Sequence, residues 1–496
     1  MNTYNAHTPG IYLLGLGPGD PSMLTRQAWR ILTRVPEVYL RTRMHPTVEG
    51  FPPTLRVYAF DSVYESGKSF EEVYAHIVEQ VLALGRRPKG VVYAVPGHPF
   101  VAESTSPEIY RRARLEGIPV QVIEGISFLE PLFSALEIDP LPHTAIVDAL
   151  ELVPAHVPPF PPDAPAIIAQ IHSKEVASGL KLVLSEIYPD DHPVKLVHAM
   201  GTSNSLVETL MLYEIDRSEH IGLLTSLYLP PLGPGTSFEA FQELIAHLRA
   251  PEGCPWDREQ THQTLRPHLI EEAYEVLAAL DSGDPGALCE ELGDLLLQIV
   301  LHAQIANESG DFNIADVLQR VYSKIISRHP HVFGDQILKD AESVVVNWEK
   351  LKAVERQKNN KEHTGLLDSV ASTLPALIQA ETYQMRAARV GFDWPEIKGV
   401  LDKVNEEFEE VRSAPTPEER AKEIGDLLFA LVNLARWYEI DAESALREAN
   451  ARFRYRFSHI EQAARDEGRA LSDLSLEEME SHWQAAKNAG KEDTET

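Results

Sequence analysis

Two cysteines, Cys254 and Cys289, are the whole thiol content of the chain. That is too few for a disulfide framework or a cysteine zinc site, and it fits a reducing compartment. No run of 18 apolar residues occurs, which excludes a membrane-spanning helix. The first ten residues, MNTYNAHTPG, lack the basic segment and apolar core of a signal peptide. Basic residues are scarce as well: 45 Lys and Arg against 75 Asp and Glu give a formal net charge of −30. Such a field repels phosphate backbones and anionic lipid, so no nucleic acid polymer and no membrane is expected as a partner, and an anionic small molecule needs a local basic cluster. The expectation is a soluble, cytoplasmic protein. Its 496 residues exceed one ordinary domain, and about 150 residues per domain predicts three.

From residue 10 to about 229, short apolar runs alternate with helical stretches. Ile11–Leu14, Val91–Val95, Val120–Ile123, Ala166–Ala169 and Lys195–Ala199 read as buried strands, so residues 1–229 are expected to form an α/β domain. Three strand-end loops are rich in Gly and Pro: Gly15–Asp20, Pro96–Pro99 and Glu124–Ser127. Ligands of open α/β sheets bind outside the carboxyl ends of strands, so these loops are candidates for a site. The first loop has neither GxGxxG nor GxxxxGK[ST], which argues against a dinucleotide or P-loop site.

Tyr228 to Phe238, YLPPLGPGTSF, reads as a linker centred on residues 230–238. Beyond it strand patterns vanish and amphipathic helices dominate. Two segments there each carry carboxylates three apart, Glu272/Glu275 and Glu291/Asp294, with the turn-forming Asp281–Gly286 between them. Folded back as an αα-hairpin, they bring four acids together, and hard divalent cations such as Mg²⁺ are the usual counter-charge. Leu292, Leu295, Leu296, Leu297, Ile299, Val300 and Leu301 surround Asp294, which predicts an acid at the edge of a buried helix. Leu427, Leu428, Leu431, Val432 and Leu434 are expected in the core, with Asn433 and Arg436 facing substrate.

The series recurs. Lys324/Arg328 and Trp348/Lys352 follow the first four acids; Glu407/Glu410, Glu423/Asp426, Arg452/Arg456 and Trp483/Lys487 repeat the order with the same internal spacings of 3, 3, 4 and 4. Fixed spacing within pairs and variable spacing between them is what results when each pair shares a helix face and the loops are free. A carboxylate cluster binds Mg²⁺ together with substrate phosphates, Lys and Arg neutralise phosphate oxygens, and a cation-activated water supplies the nucleophile. These parts suit hydrolysis of a nucleoside triphosphate. His329 and His331 are expected to serve helix-terminal packing, Cys254 to be buried, and Lys358–Thr364 to be a polar link between two helical units, residues 239–358 and 364–488.

Two family resemblances follow from these residues. GLGPGDPSMLT, Gly15 to Thr25, resembles the opening motif of the tetrapyrrole methylases. That resemblance implies a two-lobed fold for residues 10–229 and S-adenosylmethionine in the cleft, with Pro18, Gly97, Ser127 and Ala149 near it. His98 stands where the family's second loop usually has an acid. CPWDREQTHQTLRPHLIEEAYEVLAAL, EELGDLLLQIVLHAQ, RHPHVFGD and NWEKLKAVER resemble the MazG nucleoside triphosphate pyrophosphohydrolases, and VNEEFEEV, EIGDLLFALVNLAR and ANARFRYRF resemble a second MazG unit.

The MazG resemblance implies an all-α fold whose four-helix core is often completed by dimerisation, either in a homodimer or by pairing of the two units. It implies Mg²⁺ or Mn²⁺ held by Glu272, Glu275, Glu291 and Asp294 and by Glu407, Glu410, Glu423 and Asp426. It also implies attack between the α- and β-phosphates of NTPs and dNTPs to give a monophosphate and diphosphate. Lys324, Arg328, Lys352, Arg452, Arg456 and Lys487 match the catalytic bases, with Arg452 where Lys is common. Trp348 and Trp483 match the family's tryptophan, placed beside the base, and the second unit matches the active copy of tandem relatives. The alternative is a methyltransferase whose helical half regulates or dimerises, and a third reading is a non-enzymatic helical bundle.

Overall fold

The computed structural model describes residues 10–64, 69–338, 340, 343–344, 347–348, 351, 365–368 and 370–492. For Phe70 and residues 489–492 it describes the backbone alone. Lys352 and the stretch Lys358–Thr364 lie outside the described residues. The chain divides into two units, Met1–Glu259 and Gln260–Thr496.

The first unit contains two five-stranded sheets among its described residues. β1 (Ile11–Gly15), β2 (Glu37–Leu40), β3 (Arg56–Ala59), β4 (Val91–Val95) and β5 (Val120–Ile123) pair all-parallel in the order β3-β2-β4-β1-β5. β6 (Ala145–Asp148), β7 (Ala166–Ala169), β8 (Pro193–His198), β9 (Leu206–Met211) and β10 (Thr225–Leu229) form a mixed sheet in the order β6-β7-β10-β8-β9. β4 and β7 are buried along their whole length, as strands covered on both faces must be. The strands that hydropathy does not announce are short and carry polar residues. β3 (RVYA) alternates between exposed and half-buried at one sheet edge and β9 (LVETLM) forms the other sheet's edge, so both are held by pairing more than by their own apolar content. β10 takes the first two residues of the Pro-rich stretch, and Ser237 caps α6 (Phe238–Arg249) by accepting from Ala240 N at 3.0 Å.

The helices of the first sheet define where a ligand can enter. Among them, α1 (Arg26–Leu32) covers one face, with Ala28 and Ile31 packed on Leu14, Val38 and Leu40. α2 (Phe70–Gly85) and α3 (Thr105–Leu115) cover the other, with Ile77 and Ile109 packed on Leu13, Tyr93 and Val95. β1 thus leaves over one face and its neighbour β4 over the opposite face, which opens a crevice at their carboxyl ends. The loop before α4 (Leu129–Leu136) closes against that point. In the second sheet, α5 (Lys174–Ser185) packs Ala177, Leu180 and Leu184 on Ala166, Leu196 and Leu227.

The second unit is helical among its described residues: α7 (Arg266–Ser282), α8 (Pro285–Ser309), α9 (Ile314–Arg328), α10 (Ala376–Arg389), α11 (Ile397–Ser413), α12 (Pro417–Trp437), α13 (Ala442–Asp466) and α14 (Leu476–Glu492). α7 and α8 make one hairpin, and α11 and α12 make another. Gly283 ends α7 with φ +70, Asp284 caps α8 by accepting from Gly286 N at 2.8 Å, and Pro285 starts it. Thr416 and Pro417 begin α12 by the same device. Phe457, Ile460, Ala464, Leu474 and Trp483 form the core between α13 and α14, and Arg447 on α13 reaches Asp281 at the α7 turn at 2.8 Å. α6 and the short helix Pro255–Glu259 group with the α/β unit.

One expectation about packing is overturned. α8 is not a buried helix: Leu292, Leu296 and Ile299 are 49%, 38% and 42% exposed, and Asp294 is exposed. Leu428 and Leu431, expected in the core, are likewise exposed. Apolar runs on all sides of a helix ask for partners on all sides, and a two-helix hairpin supplies one.

Gly125 generates a test of the strand-end architecture. A Cβ there would collide with the Gly97 carbonyl and stand 2.8 Å from Gly15 Cα, both backbone. Gly125→Ala is expected to destabilise the α/β unit by roughly 1–3 kcal/mol, read as a lowered transition of that unit in thermal denaturation, while a Gly222→Ala control, in the same unit at a position with open space and no positive φ, leaves the melt unchanged.

Candidate metal centres and the strand-end crevice

Helical spacing places Glu272 and Glu275 on one face of α7, and the hairpin turn brings Glu291 of α8 across to them. One carboxylate oxygen from each lies within 4.8 Å of the others. The second hairpin does the same with Glu407, Glu410 and Glu423. Asp294 and Asp426 stay exposed outside these triples, although the charge of Asp294 acts on both Glu272 and Glu291.

The electrostatics are those of crowded carboxylates. Burial first, then neighbouring carboxylates, raise the carboxyl pKa of Glu272, Glu291 and Glu410. Glu272 shares a proton-dependent hydrogen bond with Glu275, and Glu410 with Glu423. Glu407 is 5% exposed and its Oε2 is buried with no hydrogen-bond partner. An orphaned carboxylate oxygen beside two more acids fits a hard divalent cation, which takes oxygen ligands about 2.1 Å away and hence up to about 4.2 Å apart.

The sequence reading missed Lys403. It lies one turn before Glu407, with Nζ 2.7 Å from Glu407 Oε1 and 2.8 Å from Glu406 Oε1, and these two hydrogen bonds raise its pKa. At the matching position of the first hairpin His268 faces Glu271, with Nδ1 3.4 Å from Oε2. The i,i+4 relation of Lys403 to Glu407 was the available signal.

The expected bases are dispersed. Lys324 is exposed and lines a groove on α9 with Phe312, Val317 and Val321. Arg328 is half-buried in the last turn of α9, beside His329, whose ring stands edge-on to Trp348 at 5.1 Å. His329 also closes the helix by bonding Ile325 O at 2.7 Å, and His331 packs near it. Arg452 pairs with Glu448 at 3.1 Å. Arg456 lies over the Trp483 ring at 5.5 Å, and Lys487 is exposed on α14. Asn433 is 4% exposed and its Oδ1 accepts from Arg436, which also clamps Asp393 at 2.8 Å. Cys254 is half-buried.

In the α/β unit, the β1 and β4 loops join through Gly17 N to Gly97 O at 3.2 Å and Gly97 N to Gly17 O at 2.8 Å. Gly97 adopts φ +63, and Ser127 Cα is the nearest atom to a Cβ built there. Ser127 is buried, donates to Glu130 at 2.5 Å and accepts from Leu129 N. Pro18 packs against Gly201, and Asp20 N donates to Gly201 O at 2.7 Å, so this loop touches both lobes. Ala149 is fully buried in the second lobe's core at the end of β6. His98 Nδ1 accepts from Phe100 N. His45 lies on the segment that leaves β2 and returns to the β1 loop, where Thr47 Oγ1 donates to Leu16 O and Gly19 O. It is 5% exposed with neither ring nitrogen bonded, and burial lowers its pKa to about 4.

These two sites match two families. The model of the tetrapyrrole (corrin/porphyrin) methylases matches residues 10–216, and that of the MazG nucleotide pyrophosphohydrolase domain matches residues 260–333. The nucleoside triphosphate pyrophosphohydrolase/pyrophosphatase MazG of Thermotoga maritima is 44% identical over 253 residues, covering 51% of this chain and 96% of the relative. The chain is a member of the MazG family fused to a tetrapyrrole methylase domain. The same fusion runs the full length of an uncharacterised Bacillus subtilis protein, YabN, 43% identical over 493 residues, covering 96% of this chain and 98% of that one. A crystal structure of uroporphyrin-III-C-methyltransferase from Thermus thermophilus aligns with 45% of this chain and 93% of its own at 24% identity and a TM-score of 0.35. No helix among the described residues is long and apolar enough to cross a membrane.

A carboxyl whose folded pKa lies above its unfolded value contributes stability that is fully present below the unfolded pKa and is lost as pH rises through the folded pKa. Glu272, Glu291 and Glu410 therefore weaken the fold as pH rises through their folded pKa, and a cation held by the triples would offset that loss. Mg²⁺ is expected to raise the melting temperature of the MazG region more at pH 8 than at pH 5. Saturation at a hundredfold excess over Kd is worth about 2.7 kcal/mol. A Glu272→Gln/Glu407→Gln variant that kept the full Mg²⁺ shift in differential scanning fluorimetry would show that the triples do not bind it.

Proposed function

We propose that the helical unit is a Mg²⁺-dependent nucleoside triphosphate pyrophosphohydrolase, with Mn²⁺ as an alternative cation, built from two MazG units at residues 239–358 and 364–488. The observation that carries this reading is the doubled acid triple, with the orphaned Glu407 oxygen inside it. Glu272, Glu275 and Glu291 with Asp294, and Glu407, Glu410 and Glu423 with Asp426, would hold the cation. The cation supplies an acidified water and neutralises phosphate charge. The chain's own part is to bind and orient: Lys324, Arg328 and Lys352, and Arg452, Arg456 and Lys487, neutralise the phosphates, and Trp348, Trp483 and Asn433 flank the rest of the substrate. Attack between the α- and β-phosphates gives a nucleoside monophosphate and diphosphate. The second unit is favoured as the active copy. Its Glu407 is the deeper acid, and Lys403 holds one of that acid's oxygens.

The exposed stripes Leu292/Leu296/Ile299 and Ile424/Leu428/Leu431 fall at matching positions of α8 and α12. Covering them by a second copy of the chain, or by each other, completes the helical core.

A second reading concerns the other unit. The crevice between β1 and β4, with Pro18, Gly97 and Ser127 at its rim and Ala149 in the facing lobe, favours S-adenosylmethionine binding and methyl transfer to a small molecule. His98 and the buried, unbonded His45 distinguish this crevice.

Incubating the chain with NTPs and Mg²⁺ and separating the products tests the first reading. The expected outcome is diphosphate and monophosphate, with a drop of 100-fold or more in a Glu291→Gln/Glu423→Gln variant, the scale of losing one strong electrostatic contact to the transition state. Orthophosphate as the product would reject it. Isothermal titration with S-adenosylmethionine tests the second: measurable binding that Gly97→Val abolishes is expected, and no heat would leave the α/β unit without that donor.

A further inference from the structure

The first hairpin has a polar stripe that the second lacks. Beyond Glu291 and Asp294, the same face of α8 carries Gln298 and His302, each one turn further on. Gln298 is 6% exposed and its Oε1 is buried without a partner, and the Nε2 of His302 is buried without a partner too. The other ring nitrogen of His302, Nδ1, lies 2.8 Å from Nδ1 of His262, in stacked rings 5.1 Å apart. Burial, then the neighbouring imidazole, lowers the pKa of His302 and so favours its neutral form.

Counted from Glu423, the matching positions of α12 are Ala430 and Leu434; counted back from Glu407, the match to His262 is Ile397. Two hairpins with the same acids thus differ in the segment next to those acids. The second shows that the fold accepts apolar residues there. A buried amide oxygen and imidazole nitrogen left unpaired each cost free energy of order 1–3 kcal/mol, so the polar residues do not serve packing.

We propose that Gln298 and His302 form a base-recognition subsite of the first hairpin, taking the hydrogen-bonding edge of a nucleobase whose phosphates lie at Glu272, Glu275 and Glu291. This rests on the nucleotide reading of the acid triple. Gln298 Oε1 is an acceptor and calls for an N–H on the ligand. His302 Nε2 donates or accepts according to which ring holds the proton shared with His262, and so takes the second polar atom of the edge. The positions fit: seven and eleven residues beyond Glu291 are about 10 and 16 Å along the helix axis, and side chains on a helix lean back towards its N-terminus, here towards the acids. The second hairpin has Ala430 and Leu434 at those positions, and the oxygen of its own buried amide, Asn433, is already taken by Arg436, so it discriminates bases less.

The test uses the full chain carrying Glu423→Gln, which removes a ligand from the second triple. Mg²⁺ complexes of the α,β-methylene analogues of ATP, GTP, CTP and UTP, and of inorganic triphosphate, are titrated by calorimetry. One analogue is expected to bind at least tenfold more tightly than inorganic triphosphate. Adding Gln298→Ala and His302→Leu should remove that advantage and level the four analogues, with triphosphate affinity within twofold of the parent. Each single substitution serves where the pair loses its thermal transition. Unchanged analogue affinities with triphosphate still bound would overturn this subsite alone. Failure of triphosphate and all four analogues to bind would overturn the nucleotide reading of the first triple, and the subsite with it.

Discussion

Three carboxylates within 4.8 Å of one another are the constraint on which the helical unit is built. Two unit charges 4 Å apart at the effective dielectric of a protein surface repel by about 4 kcal/mol, so a triple is tolerable only where protons or a cation are shared. Everything local serves that closeness. Spacing of three puts two acids on a face, Gly283 in the left-handed region turns the chain, Asp284 and Pro285 start the return helix, and the third acid arrives opposite. The second hairpin uses Thr416 and Pro417 to the same end. A structure that spends two hairpins on opposing like charges is organised around what neutralises them.

The acids were legible in the sequence because helical spacing survives translation into three dimensions. So was the α/β order of the first unit, since β4 and β7 are apolar throughout and buried throughout. What hydropathy could not carry was context. β2, β3, β6 and β9 are four to six residues long with polar positions, and only their neighbours make them strands. Leu292, Leu296 and Ile299 are as apolar as a core requires, yet they face outward, because burial depends on the presence of a partner surface. Lys403 escaped notice for a different reason: a lysine in a charged helix looks like solvated surface, and only the 2.7 Å approach to a buried glutamate separates it from that background.

The α/β unit answers another constraint, the close approach of backbone. Gly15 and Gly125 sit so near each other and the Gly97 carbonyl that neither has room for a side chain, and adjacent strands β1 and β4 leave over opposite faces of the sheet. Those two facts together make the crevice. They owe nothing to electrostatics, which is why a strongly acidic chain can carry such a site beside its acid triples.

The two hairpins then differ in how they hold their acids before any cation arrives. In the second, Lys403 takes one oxygen of Glu407 and leaves the other, Oε2, buried and unpaired. A carboxylate with one oxygen fixed has lost rotamer freedom in advance, and the entropy of ordering it would not be charged to binding of a cation. In the first, His268 is turned to Glu271, so Glu272 relies on a proton shared with Glu275 and its pKa rises. In the second, Glu410 likewise shares a proton-dependent bond with Glu423 and its pKa rises, so the difference between the hairpins lies in Glu407, which Lys403 already orients. The same acid pattern is therefore fixed by a neighbouring lysine in one hairpin and left to its own carboxylates in the other.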